Sequence, residues 1–370
     1  MKKNWICLCL LAALFSGVLG CGTGVEPAQT TAPTQAAAVT QPIPEETVPE
    51  TTETVPTVPE TVPELPDEYL FLTVSRLDMS VVGEQEDIYI GSVPRDQVTW
   101  ESGDEAVVTV ENGVLTATGV GETTITGSWG DQQVSCVFSC LAPDQETLMT
   151  LDNDVLRSPK RMPFAVDQWP QEFFSDAAFV GDSITYTLWH TAGKDPLQLG
   201  NALFLVRGGT SINGFVGNYK NIYLRGQEMH LDDAIAASGV QKVFFMLGQN
   251  DLSYMTIEDT MANWTRLLDR VKAQSPDVEI YIQSLVPEWF ESYADNAKND
   301  KIDTYNQLLK TYCDENGYHF IEIAAYIEDH TNRMATVYSM DRSIHINYDG
   351  TDVWMKALMT YARLQQLQGE

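Results

Sequence analysis

Phe179-Val180-Gly181-Asp182-Ser183-Ile184-Thr185 runs from an apolar stretch through a small polar turn into residues that suit a helix. Its apolar part, Ala177–Val180, reads as a buried strand, so Ser183 falls between that strand and the helix it feeds. A serine hydroxyl there gains the positive end of the helix and nearby backbone N–H groups, surroundings that suit a nucleophile whose product is an oxyanion. Gly-Asp-Ser by itself is a weak signal, because Asp-Ser before a helix is also an ordinary cap.

Outward from this stretch the alternation repeats. Leu203–Val206, Lys242–Leu247, Glu279–Leu285 and His319–Ile323 read as further buried strands. Between them Trp264, Leu267, Leu268 and Val271 recur at helical spacing, as do Ile302, Tyr305, Leu308 and Leu309, and a last amphipathic stretch runs over about 351–367. The pattern predicts an α/β unit over 172–370, a parallel sheet covered on both faces that binds ligands at the carboxyl ends of its strands.

Three more segments fall at that rim. Met246-Leu247-Gly248-Gln249-Asn250-Asp251 ends the third strand, and a carboxamide there donates N–H to a developing oxyanion without bringing charge. Asp341-Arg342-Ser343-Ile344-His345-Ile346-Asn347 precedes the last helix and offers an imidazole as general base. Arg207-Gly208-Gly209-Thr210-Ser211 follows the second strand and supplies a backbone N–H free of side-chain obstruction.

Ser, Gly, Asn and His in that order resemble the SGNH hydrolases, the GDSL-like esterase and lipase superfamily. The resemblance implies a flavodoxin-like three-layer sandwich and no cofactor or metal. It matches Ser183 to the nucleophile, His345 to the base, and Asn250 with the N–H groups of Ser183 and Gly209 to the oxyanion hole. Gly208 fits a Gly-x-Thr reading; the Gly-x-Ser reading that selects Gly209 is preferred. The acid is displaced: the family's position three before the histidine holds Arg342, and Asp341 lies four before it. Asp341 reaches His345 through a bulged turn, a backbone carbonyl serves instead, or the site is impaired.

Asp349 and Asp352 read as capping and surface residues. Trp289, Phe290 and Tyr293 follow the fourth strand and are expected on the rim, stacking on sugar rings or packing their own loop. His190, His230, His319 and His330 show no metal-ligand pattern and read as structural or exposed.

Upstream, residues 69–141 hold short β-rich runs separated by turns at Asn112-Gly113 and Gly119–Gly121. The run from Val98 to Thr126, with its Trp100, Asn-Gly and Gly-x-Gly landmarks, resembles a group 2 bacterial immunoglobulin-like domain. That implies a small all-β sandwich used as a spacer or for cell-wall contact, with Trp100 in its core. Cys136 and Cys140 lie four apart in a strand-like run, ~13 Å when extended and too far to pair. Residues 142–171 read only as a connector. Since 69–141 carries no catalytic residue, ester hydrolysis is expected to survive removal of residues 22–141.

Met1-Lys2-Lys3 followed by the apolar run Trp5–Gly20 reads as a secretory signal over 1–20. Val18-Leu19-Gly20-Cys21 resembles the lipobox of bacterial lipoproteins, which implies a lipid on Cys21 and anchorage at the extracellular face of the cell membrane. Residues 21–68 read as a disordered stalk rich in Pro, Thr and Glu, with Val-Pro-Glu at 48–50, 58–60 and 62–64. Extended at ~3 Å per residue, it would hold a domain on the order of 100 Å from the membrane.

The 370 residues include 44% hydrophobic side chains, enough for a sizeable core, so wholesale disorder is excluded. With 22 basic against 52 acidic residues the formal charge is −30, which repels phosphate backbones and excludes nucleic acid as a partner. Two classes of function fit: a serine esterase acting on acylated carbohydrate or wall polymer, and a non-catalytic adhesin or carbohydrate-binding lipoprotein with a decayed site.

Overall fold

The computed structural model describes residues 73–91, 93–163, 170–192, 199–217, 220–291 and 297–368. The expected signal, Cys21, the stalk and Tyr293 lie outside the described residues.

The first part is all-β. Strands β1 (Val74–Val81), β2 (Gln85–Asp87), β3 (Thr99–Ser102), β4 (Val108–Glu111), β5 (Val114–Ala117), β6 (Gly121–Trp129), β7 (Gln132–Ala142) and β8 (Arg161–Pro163) form two sheets, ordered β3-β6-β7-β1-β8 and β2-β5-β4. Alternation decides which face is buried: in β5, Leu115 and Ala117 point inward while Val114 and Thr116 are half-buried. Leu77 and Met79 of β1, Leu115, Ile125 and Phe138 share one core across the two sheets. Asn112 (φ 49°) and Gly113 (φ 76°) close the β4–β5 hairpin, the two positive dihedrals that match a turn to twisted strands. Trp100 was expected in the core but is only half-buried, because a short edge strand holds it at the margin. Cys136 and Cys140 are buried free thiols of β7, and burial pushes the Cys136 thiol up to about 11.

The second part is the predicted parallel sheet. Strands β9 (Ala177–Gly181), β10 (Leu203–Val206), β13 (Lys242–Met246), β14 (Glu279–Gln283) and β15 (His319–Ile321) run in the order β10-β9-β13-β14-β15, every neighbouring pair parallel. A small hairpin, β11 (Ile222–Leu224) and β12 (Gln227–Met229), stands apart. All five residues of β9 are buried, as expected of a central strand with helices on both faces. One face meets the Ile257–Gln274 helix, where Phe245 and Trp264 pack edge to face with centroids 5.6 Å apart. The other meets the Tyr348–Gln368 helix, whose Trp354 Nε1 donates to Gln283 Oε1 at 2.7 Å.

Two details depart from the helical pattern. Leu308 is exposed while Ile302, Tyr305 and Leu309 are buried, since it lies one position beyond the inward stripe. The last helix is capped by Asn347, whose Oδ1 accepts from Gly350 N–H at 3.0 Å, and not by Asp349, which sits exposed in the first turn. Asp352 pairs with Lys356 one turn later, at 2.7 Å.

The described part of the connector, residues 142–163, touches both parts. It forms one-turn helices at Gln145–Leu148 and Asn153–Leu156 and then β8, which adds to β1. His330 N–H donates to the Leu156 carbonyl and Thr336 N–H to the Arg157 carbonyl, both at 3.1 Å. Ser80 of β1 lies 3.1 Å from His330 Nδ1, and Tyr326 packs against the cores of both parts.

Candidate active site

The sheet order reverses at β9, which has β10 on one side and β13 on the other. In an open parallel sheet this reversal parts the loops at the carboxyl edge and leaves a crevice. Ser183 follows β9, the Gly209 turn follows β10 and Asn250 follows β13, so the three segments converge on that crevice.

Ser183 opens the Ser183–Ala192 helix, which Asp182 caps: its Oδ1 accepts from Ile184 N–H at 2.9 Å and its carbonyl from Tyr186 N–H at 3.0 Å. Gly181 lets the helix start so close to the strand. A Cβ there would collide with the Thr185 side chain and lie 2.9 Å from the Met246 carbonyl oxygen.

Ser183 Oγ stands 3.0 Å from His345 Nε2, and His345 Nδ1 stands 2.6 Å from Asp341 Oδ2. Asp341 therefore reaches the ring from four residues upstream. The intervening turn bulges at Arg342, in the left-handed region (φ 54°), with its N–H held by Ser339 Oγ at 2.9 Å. The other Asp341 oxygen accepts from Ser343 N–H at 2.9 Å and His345 N–H at 3.3 Å. Partial burial works against the Asp341 carboxylate, but the hydrogen bonds from His345 and Ser343 outweigh it and hold its pKa below the ordinary range. Such a relay can pass the Ser183 proton to an imidazole whose tautomer and orientation a carboxylate fixes.

Asn250 Nδ2 donates to the Thr210 carbonyl at 2.7 Å and to Asp182 Oδ2 at 3.0 Å. Both neighbours are acceptors, so the amide nitrogen faces them, and an oxyanion arriving here would share its protons. Gly209 has φ 68° with open space where a Cβ would stand, whereas Gly208 has no such dihedral; the backbone therefore singles out Gly209. Burial pushes the Asp182 carboxyl up to about 6, against the Ile184 N–H and the nearby His345 charge.

Sequence reasoning missed Asp251. Its carboxylate, fully buried, accepts from Ile212 N–H at 2.9 Å and Asn213 N–H at 3.0 Å, tying the segment after Gly209 to the segment that carries Asn250. Burial raises its pKa despite these bonds. A carboxylate directly after Asn250, in the turn that follows a buried strand, was the available signal.

Trp289 and Phe290 are half-buried. Trp289 backbone N–H donates to the Ser343 carbonyl at 2.8 Å and its indole Nε1 to Thr336 Oγ1 at 3.0 Å, so its main chain is tied to the loop of Asp341 and its ring to the Thr336 turn. Of the remaining histidines, His190 is exposed, His319 stacks on Tyr281 with centroids 4.3 Å apart, and His330 is buried at the junction.

Residues 179–353 match the GDSL-like Lipase/Acylhydrolase family. This segment is a GDSL-like hydrolase domain. No curated protein matches the chain. Solved structures similar to it include a GDSL-like lipase from Bacteroides thetaiotaomicron, 15% identical with a TM-score of 0.41, covering 51% of this chain and 87% of that one. A carbohydrate esterase family 3 protein from Talaromyces cellulolyticus is 14% identical with a TM-score of 0.38, covering 52% and 98%. A variant of an acetylxylan esterase from Geobacillus stearothermophilus is 15% identical with a TM-score of 0.37, covering 50% and 93%. In all three the overlap is about half of this chain and most of the other.

Proposed function

We propose that the protein is a cell-surface lipoprotein serine esterase that removes O-acyl groups, acetyl above all, from a carbohydrate or wall polymer. The observation that carries the hydrolase reading is the unbroken relay Ser183–His345–Asp341 at 3.0 and 2.6 Å beside the Asn250 amide. Ser183 Oγ attacks the ester carbonyl as His345 takes its proton. The oxyanion rests on the N–H groups of Ser183 and Gly209 and on Asn250 Nδ2. Collapse expels the alcohol, which receives the proton from His345, and water then releases the acyl group from Ser183 by the same relay.

The polymer preference is supported by sequence features: the lipobox ending at Cys21, the proline-rich stalk and the β-sandwich, which we read as an immunoglobulin-like spacer domain able to contact the wall. Two or more acyl chains at Cys21 would anchor the protein durably. Cys21→Ala should release the protein from membranes or leave it unprocessed; retention of the processed variant in the membrane would sink the anchor reading.

The hydrolase reading is tested by fluorophosphonate labelling, with Ser183→Ala as control, followed by a panel of acetylated glycans and small esters. Labelling at Ser183 with acetate release from glycans is expected. No labelling and no hydrolysis across the panel would favour the adhesin with a decayed site.

A further inference from the structure

Arg157 belongs to the connector, outside the segment that matches the hydrolase family, yet its side chain is 91% removed from solvent and ends among residues of the hydrolase domain. Its Nη2 donates to the Phe290 carbonyl at 2.6 Å and the Glu291 carbonyl at 3.3 Å, and Nη1 lies 3.5 Å from Asp329 Oδ2. Its Cζ lies 5.3 Å from the Trp289 ring centroid; Arg342 Cζ lies 5.6 Å from the same ring. A guanidinium is the side chain suited to this place, because one rigid fork serves two carbonyls, a carboxylate and an aromatic ring at once.

The contacts continue into the catalytic loop. Trp289 N–H holds the Ser343 carbonyl at 2.8 Å, Ser343 N–H holds Asp341 Oδ1 at 2.9 Å, and Asp341 Oδ2 holds the His345 ring. Asp341 sits in a bulged turn whose side chains from Asp341 to Ser343 are exposed, so its aim depends on what braces that turn from outside.

We infer that Arg157 is a positioning residue for the hydrolase: it fixes the Trp289–Glu291 segment, and through Trp289 and Ser343 it aims the Asp341 carboxylate at His345. The inference rests on the serine-hydrolase reading above. It makes the connector part of the working enzyme rather than a tether between two folded parts.

The test is a double-mutant cycle on the full chain, read as the rate of fluorophosphonate labelling at Ser183, with thermal melts run alongside. Arg157→Lys keeps the charge and loses the fork; Arg157→Met removes both and guards against a lysine that finds the same partners. Both should slow labelling about tenfold or more, since small misplacements of a reacting group carry penalties of that size. In an Asp341→Asn background the same substitutions should cost less than about twofold, because the group they aim is gone. A variant that melts well below wild type is compared at a temperature where both are folded. Labelling of both variants within twofold of wild type would overturn the inference, and so would an equal penalty with and without Asp341, which marks general loosening. A wild type that fails to label removes the hydrolase reading itself, a different result from normal labelling with additive penalties.

Discussion

Asp341 grips the imidazole of His345 from four residues upstream, Oδ2 to Nδ1 at 2.6 Å, while its other oxygen holds the backbone N–H groups of Ser343 and His345. One carboxylate thus both shapes the turn and orients the ring. Removing its charge should affect turnover far more than folding. Asp341→Asn should lower kcat by two to four decades, about 3–5 kcal/mol of transition-state stabilisation. Ser183→Ala and His345→Ala should each be as severe, and the pair hardly worse than either alone. Near-normal turnover in Asp341→Asn with none in His345→Ala would mean a serine–histidine dyad.

The two glycines after β10 should separate cleanly. Gly209→Ala has room for the methyl group but forces a left-handed dihedral on alanine, a strain of about 1 kcal/mol that the loop can relieve only by moving its N–H. We expect kcat to fall at least about tenfold, the scale of a partly lost oxyanion donor. Gly208→Ala has the same room and no left-handed dihedral to adopt, and should keep its turnover. The reverse order of effects would transfer the oxyanion role to Gly208.

Asp182 should leave a mark on stability against pH. Its folded pKa of about 6 lies above the ordinary 3.8, so the folded state holds the proton more tightly. Stability from this group is fullest below about pH 4 and is lost as pH rises through about 6, by about 3 kcal/mol. Relative to wild type, Asp182→Asn should therefore gain stability between pH 4 and 7 in urea titrations. A constant difference across that window would show that the carboxyl titrates normally.

His330 should act with the opposite sign. Burial lowers its pKa from 6.5 to about 3, so the unfolded chain takes up a proton that the folded one refuses. Stability should fall as pH drops below about 6.5, by about 2 kcal/mol at pH 5. His330→Gln should flatten that acid slope, and an unchanged slope would place the acid sensitivity elsewhere.

Much of this was legible from periodicity and order along the chain. Continuous apolar runs marked each parallel strand because both faces of the sheet are covered, and the strand ends then located Ser183, Asn250 and the Gly209 turn. The Asp341 offset was visible, but its outcome hangs on a single left-handed residue, Arg342, of a type that does not advertise that conformation. The connector escaped reading for a related reason. Its helices are one turn long and its β8 three residues, too short for any period to emerge, and Arg157 finds its partners more than 130 positions away. Asn347 capping the last helix shows the same limit: several polar residues stood near that terminus, and only the backbone geometry selects among them.

The placement of β1 bears on how the molecule takes mechanical load. Under the anchorage proposed at Cys21, a pull on the amino-terminal end of β1 would load a strand clamped between two others, parallel to β7 and antiparallel to β8. Pulled along its axis, β1 must slide against both ladders, breaking their hydrogen bonds together instead of one after another. Resistance to such a pull is set by an unfolding rate and not by equilibrium stability. Because β8 belongs to the connector that holds Arg157, the strand that bears the strain lies one partner away from the segment that braces the catalytic loop.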